Sequence, residues 1–147
     1  KNTAYVTQEG ITNDSIVVQE GRFNMANVMQ EGRLNDSWVQ QDGWFNESNV
    51  VQDGELNDSY VKADGSFNRT YTTQTGDELD SDIILDGDFN YAAVTQTGYG
   101  HDSFISTNGN GNTHFVNQSG AFGGAGQHFS QILTTGSGNY NVVSQGN

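Results

Sequence analysis

Apolar residues in this chain stand singly at alternate positions, and the alternation restarts every eleven residues. One slot of the period holds Val17, Val28, Val39, Val50, Val61, Thr72, Ile83, Val94, Ile105 and Val116. Two residues earlier stands a small side chain: Ser15, Ala26, Ser37, Ser48, Ser59, Thr70, Ser81, Ala92 and Ser103. Two earlier again is Asn in most copies, and two residues after the branched slot is Gln in most. A spacing of two places all four on one face of an extended strand. Gly10, Gly21, Gly32, Gly43, Gly54, Gly65, Gly76, Gly87, Gly98, Gly109 and Gly120 separate the strands without a slip. Gln-x-Gly-x-x-Asn links each strand to the next, glycine supplying the positive φ of a tight corner. A unit of eleven residues is too short to bury a core alone, so its copies must stack.

Residues twenty-two apart agree better than residues eleven apart. Gln8, Gln30, Gln52, Gln74, Gln96 and Gln118 form an unbroken series, while the alternate Gln series decays to Ala63, Leu85 and Thr107. Asn2, Asn24, Asn46, Asn68, Asn90 and Asn112 are unbroken, while their counterparts fail at Leu79 and His101. Phe23, Phe45, Phe67 and Phe89 recur at the same long period. Two strands and two corners therefore make one coil. The sequence predicts an all-β fold, a β-solenoid of cross-β type with two facing parallel sheets and 22-residue coils of two strands. Rungs lie about 4.8 Å apart. The Gln and Asn columns are expected to hydrogen-bond amide to amide up the stack. About 6.5 coils are expected in a single unit over residues 1–147, with an irregular insertion near 121–129. The half coil at Asn139 gives one sheet seven strands and its partner six. Stacking Asn2 of a second copy on Asn139 would leave one rung of the smaller sheet empty. Residues ahead of Lys1, or the Gly120–Phe129 segment, are expected to fill it.

Composition alone would suggest disorder, since 33% of residues are hydrophobic and the formal net charge is −13. The repeat escapes that rule because amide ladders and backbone pairing supplement a small core. The absence of Pro suits strands that need every N–H. The absence of Cys excludes a disulfide framework, a thiolate zinc site and a thiol nucleophile. No apolar run approaches eighteen residues, so no membrane insertion is expected. The acidic balance argues against nucleic acid as a partner. Every acid and base lies at or before Asp102, so the two ends of the stack differ. Polar, head-to-tail growth suits that asymmetry better than a symmetric dimer.

Asn13, Gln19, Gly21, Asn24, Ala26 and Gln30 keep the spacing Ser-x5-Gln-x-Gly-x-x-Asn-x-Ala-x3-Gln, with Asn at the leading Ser. Asn35, Gln41, Gly43, Asn46, Ser48 and Gln52 repeat it, and it continues more loosely as far as Gln118. This pattern resembles the repeat of curlins, the subunits of bacterial curli fibres, over essentially the whole chain. The resemblance implies a secreted functional amyloid that forms pilus-like cell-surface fibres, supporting biofilm matrix and adhesion. It implies a homopolymer, a minor nucleating subunit and an outer-membrane secretion channel as partners, and no cofactor. The curlins compared have about five coils. The expectation of export rests on the resemblance, because the repeats begin in register at Asn2 with no export segment ahead of them.

Candidate chemistry is sparse. His101-Asp102-Ser103 does not make a catalytic set, because adjacent strand residues point to opposite faces and Asp102 cannot orient His101. His101, His114 and His128 read as slot-fillers rather than metal ligands. Asn-x-Ser/Thr at Asn13, Asn35, Asn46, Asn57 and Asn68 is produced by the repeat, with both residues facing inward. Asp14, Asp36, Asp58, Asp80 and Asp102 form an outward column, as do Glu20, Asp42, Asp64 and Asp86, and Glu9, Glu31 and Asp53. Solvation and protection against premature zippering explain them; weak cation binding by stacked carboxylates is the functional alternative. No enzyme is expected, since corners this short hold no active-site loop. The alternative to a fibre subunit is a monomeric surface-binding solenoid, an adhesin passenger or an ice-binding protein. The irregular outward slots Ile16, Trp38, Tyr60, Asp82 and Phe104 count against an ice-binding face.

Overall fold

Strict two-residue alternation with a corner every eleven residues leaves the chain one economical path. It runs out along one sheet, turns, and runs back along the other. The computed structural model, which describes residues 1–120 and 127–146, follows that path through thirteen strands and no helix. The seven-stranded sheet stacks β1 (Thr3–Ile11), β3 (Met25–Arg33), β5 (Glu47–Glu55), β7 (Arg69–Asp77), β9 (Tyr91–Tyr99), β11 (Thr113–Ser119) and β13 (Tyr140–Gly146). The six-stranded sheet stacks β2 (Asp14–Arg22), β4 (Asp36–Trp44), β6 (Asp58–Ser66), β8 (Asp80–Asp86), β10 (Asp102–Asn108) and β12 (Phe129–Thr135). Every neighbouring pair is parallel. The chain is an all-β solenoid of two parallel sheets with 22-residue coils.

Register is fixed by what each slot buries. Ala4 pairs with Ala26, Val28 with Val50 and Gln52 with Gln74. A slip of one residue would turn every Gln and Val outward. The register step becomes 27 residues where Asp102 pairs with Phe129 and Thr113 with Tyr140. Five additional residues therefore lie between these coils. Within the expected insertion near 121–129, residues 121–126 lie outside the described residues, while Gln127 and His128 lead directly into β12. The core between the sheets is thin. It consists of Val28, Val39, Val50, Val61, Ile83, Leu85, Val94, Ile105, Val116 and Ile132 with the small residues beside them.

The corners differ from the expectation that glycine makes the turn. Strand pairing runs through the glycines, with Gly10 opposite Gly32 and Gly54 opposite Gly76. The turn falls two residues later, on a residue in the left-handed region: Phe23, Phe45, Phe67 and Phe89 at φ 61°, 58°, 58° and 59°. Thr12, Leu34, Leu56 and Glu78 do the same in the alternate corners, and Gly100, Gly111 and Gly138 take over that position in the later coils. Glycine bends the strand into its arc while staying on the ladder. It must be glycine for a second reason at Gly54 (φ 130°), where a Cβ would run into the carbonyl oxygen of Gly76 in the next coil.

The two kinds of glycine should respond differently to one methyl group. Gly111 (φ 66°) has open space around its would-be Cβ, so Gly111→Ala should cost only the left-handed penalty of roughly 1–2 kcal/mol. Gly54→Ala adds a backbone collision and should cost clearly more, read as a larger drop in the guanidinium unfolding midpoint.

Candidate functional site

An interior Gln carries two N–H donors and one carbonyl acceptor, all of which need partners. Gln8, Gln30, Gln52, Gln74, Gln96 and Gln118 each donate from Nε2 to Oε1 of the Gln one coil on, at 2.7–3.1 Å, and the series ends at Gln145. The second Nε2 hydrogen crosses the core. Gln30 donates to the carbonyl of Asp14 (2.8 Å), Gln52 to Asp36 (2.8 Å), Gln74 to Asp58 (2.7 Å), Gln96 to Asp80 (2.6 Å) and Gln118 to Asp102 (2.9 Å). One column thus ties coil to coil and sheet to sheet. In the other column Gln19 reaches Gln41 (2.7 Å), and the ladder stops there. Gln41, facing Ala63 in the next coil, donates to Ser48 Oγ (2.9 Å) and the Met25 carbonyl (2.9 Å).

The Asn column departs from the expected amide-to-amide ladder. Asn24 Oδ1 accepts the backbone N–H of Asn46 (3.0 Å), while Asn24 Nδ2 donates to the carbonyls of Glu20 (2.6 Å) and Gly43 (3.0 Å). Asn46, Asn68 and Asn90 likewise accept from the backbone of the coil above. The shorter side chain lies at the corner, where backbone groups leave the ladder and need partners. Amide-to-amide bonds occur only at the end of the column, from Asn112 to Asn90 (3.1 Å) and from Asn139 to Asn112 (2.9 Å). Asn2 caps Asn24 N–H at 3.2 Å.

His101 shows the same logic in a different residue. Buried in an Asn slot, it accepts the His128 N–H on Nδ1 (3.2 Å) and meets the Thr97 carbonyl through Nε2 (3.2 Å). Both bonds reproduce those of Asn, and they require a neutral ring protonated on Nε2. Its ring stacks on His128 with centroids 5.0 Å apart. His114 is fully buried in a small-residue slot, where its Nδ1 meets Asn141 Nδ2 at 3.2 Å. Burial pushes both histidines below their ordinary pKa, with hydrogen bonding to Thr97 partly opposing this at His101.

The Phe column runs up one corner, exposed, with Phe23, Phe45, Phe67 and Phe89 stacked at 4.9–5.0 Å and 1–12° between planes. The sequence revealed the column but not its left-handed backbone. A tell-tale was available: the same position becomes Gly at 111 and 138, as its counterpart in the other corner does at 100. Also hidden in the sequence were the hydroxyls of Ser37, Ser59, Ser81, Ser103 and Ser130, which are buried without a hydrogen-bond partner. Nothing in the described structure explains why serine rather than alanine stands there.

Asp14, Asp36, Asp58, Asp80 and Asp102 lie in register along the edge of the smaller sheet, all exposed. Partial removal from water, then Asp82, Asp102 and Asp58, push Asp80 up to about 6. Partial burial also raises Asp58, with help from Asp36, and raises Asp82 and Asp102. Asp80, Asp82 and Asp102 border a shallow groove with Phe104, Phe129 and Gln131. Among the described residues, no group of three or more His, Cys, Asp or Glu side chains is arranged to hold a metal ion. The few ion pairs, Arg33–Glu55, Arg69–Glu47 (3.0 Å) and Lys62–Asp64 (4.0 Å), are peripheral.

Both ends of the stack are open. Below, β1 and β2 each pair on one side only; above, β12 and β13 do. Backbone direction alternates along a parallel strand. Thr3 and Asp14 point their N–H groups into the stack, so those of Ala4, Val6 and Gln8, and of Ser15, Val17 and Gln19, point out of the lower end. At the upper end the outward set is Phe129, Gln131 and Leu133 on β12, and Tyr140, Val142 and Ser144 on β13.

Residues 87–120, which span β9, β10 and β11, match the family model of the Curlin associated repeat. Over that stretch the chain resembles the curlin repeat. No curated protein and no solved structure matches it. The matched curlin repeat contains Gln96, Gln118, Asn90 and Asn112, so the amide columns run through it. The curlin-repeat family is structural rather than enzymatic.

If the Gln column carries the fold, its loss should be graded by what it orphans. Gln52→Ala strands a donor of buried Gln30, the Oε1 of buried Gln74 and the Asp36 carbonyl. Gln41→Ala strands groups nearer the lower end, on half-buried Gln19 and exposed Met25, with Ser48 the buried exception. At about 1–3 kcal/mol for an orphaned buried group, Gln52→Ala should unfold at the lower guanidinium concentration of the two.

Acid should act in two directions. Between the ordinary 3.8 and about 6, folded Asp80 holds a proton that the unfolded chain has lost, so stability rises as pH falls through that window and is lost as pH rises through 6. The histidines have the opposite sign. Their folded pKa values lie below 6.5, so the unfolded chain binds more protons and stability falls as pH drops below 6.5. His101→Asn, which restores the usual occupant, should remove part of the acid loss; Asp80→Asn should remove part of the acid gain. Unfolding midpoints of the three proteins at pH values of about 4.5 and 7.5 should therefore diverge in opposite directions from the parent.

Proposed function

We propose that this chain is the structural subunit of an extracellular curli-like fibre, growing by rung-on-rung addition of copies at its open ends. The observation that carries this reading is the pair of unpaired edges at each end of an amyloid-like stack whose columns already repeat along one axis. A strand edge of this kind templates another strand, and the first coil of an identical chain presents the same eleven-residue slots as the last. The chain performs no catalysis in this role; Gln, Asn and Phe columns serve cohesion. The curlin repeat at residues 87–120 supports export to the cell surface, a minor nucleating subunit and an outer-membrane channel as partners, and roles in matrix and adhesion.

Incubation of the purified protein at micromolar concentration should give thioflavin-positive fibres with a meridional reflection at about 4.8 Å. A persistent monomer would favour the surface-binding solenoid instead. Val6→Pro at the lower edge and Val142→Pro at the upper edge each remove an N–H that points out of the stack and pairs with nothing inside it. Both variants should fold yet fail to elongate parental seeds, with elongation reduced at least about tenfold. Elongation at the parental rate by either would refute end-stacking.

A further inference from the structure

The described residues form thirteen strands, an odd number, and this has a geometric consequence for how two copies of that stack meet. Each strand is related to the next by half a turn about the solenoid axis and a rise of half a rung, because the eleven-residue repeat gives both sheets the same slots. Thirteen such steps leave the chain half a turn out of phase with its start. Both terminal strands of the larger sheet, β1 and β13, stand one half-rung beyond the ends of the smaller one.

We propose that successive subunits in the fibre are related by half a turn about its axis, so that β1 of one copy lies on β12 of its neighbour as a fourteenth strand, and β2 lies on β13. This rests on the fibre reading above and specifies its junction. Under a plain translation β13 would meet β1, but β12 and β2 would face each other across an empty rung. The N–H groups of Phe129, Gln131 and Leu133 would then stay unpaired, as would those of Ser15, Val17 and Gln19 of the next subunit. Under the half turn both strand pairs meet, and their outward-pointing backbone groups interdigitate as they do inside the chain. No rung is left over between the two stacks.

The side chains agree with this register. Facing inward, Ser130 meets Ala4 of the next subunit, Ile132 meets Val6, Val143 meets Val17, and Gln145 meets Gln19, whose carbonyl can extend the amide ladder. Val17 and Val143 are the partly buried residues at the two limits of the core, and the junction covers both. Facing outward, Gln131 meets Tyr5, Val142 meets Ile16 and Tyr140 meets Asp14. β12 and β13 contain no Asp, Glu, Lys or Arg, so the junction stacks no carboxylate on a carboxylate, whereas Asp36, Asp58 and Asp80 do so within each chain.

The chain has no cysteine, so introduced pairs report the junction cleanly. Strands in register place paired Cα atoms about 4.8 Å apart, within disulfide range. Tyr5 and Gln131 are both exposed and lie at opposite ends of one subunit, so the doubly substituted Tyr5→Cys, Gln131→Cys protein can cross-link only between subunits. Oxidised fibres of it should run as a covalent ladder on a denaturing gel. Tyr5→Cys with Val142→Cys should not, since those positions fall on opposite faces. Helical reconstruction of the unsubstituted fibre is the second measurement. The half turn requires a rise of about 31 Å per subunit, and plain translation about 34 Å. Cross-linking of the Tyr5/Val142 pair, of neither pair, or a rise near 34 Å would overturn the half-turn junction while leaving the fibre intact. Absence of any fibre would overturn the fibre reading and this inference with it.

Discussion

The primary amide of Gln bonds in three directions at once, through two donors and one acceptor at the end of a side chain long enough to reach the opposite sheet, and the solenoid depends on that. From Gln30 to Gln118 each side chain of the column accepts from the coil below and donates to the coil above, with Gln8 and Gln145 closing its two ends. From Gln30 onward, each also donates across the core to the first strand residue of the opposite sheet. A thin core of one branched residue per strand could not hold two sheets of this polarity together. The amide supplies the missing cohesion without leaving an unsatisfied buried group, the usual penalty for a polar interior. Direct amide-to-amide bonding also makes the column cooperative: each Gln is placed by its neighbours.

The corner is where opposing costs meet. A left-handed Phe is unfavourable by about 1–2 kcal/mol relative to glycine, and a stacked aromatic pair recovers about 0.5–1.5 kcal/mol. The two nearly cancel, which explains why both solutions occur in one chain. Phe holds one corner from Phe23 to Phe89, and Gly111 and Gly138 hold it above, where the Phe column has ended; Gly100 follows Thr12, Leu34, Leu56 and Glu78 in the other corner. His101 is a comparable compromise, matching the two bonds of Asn with two ring nitrogens at the cost of a proton-sensitive core.

Most of the fold was legible in the sequence because period, face and stacking partner are all encoded by spacing. Strand identity, the two-sheet arrangement and the parallel register follow from the Gln8 and Asn2 series alone. What was not legible depends on atoms rather than slots. Spacing shows that Asn24 faces inward but not that its oxygen serves the backbone of Asn46 instead of another amide. Nor does it show that the turn is made by Phe45 rather than Gly43, because a strand can bend at glycine without leaving its ladder. The raised Asp80 was foreseeable as a like-charge column, but its extent arises from partial burial and from Asp82, which belongs to a different slot.

The change of register step from 22 to 27 residues leaves the pairs above it undisturbed: Ser103 still meets Ser130, and Val116 still meets Val143. Alignment of these coils is therefore set by the inward slots, not by the length of chain between them. A connection that tolerates extra length is a natural port for foreign sequence. A short peptide inserted between Gly120 and Gln127 would leave the pairing slots of β12 and β13 untouched, so the chain could carry added sequence without losing the register of its stack.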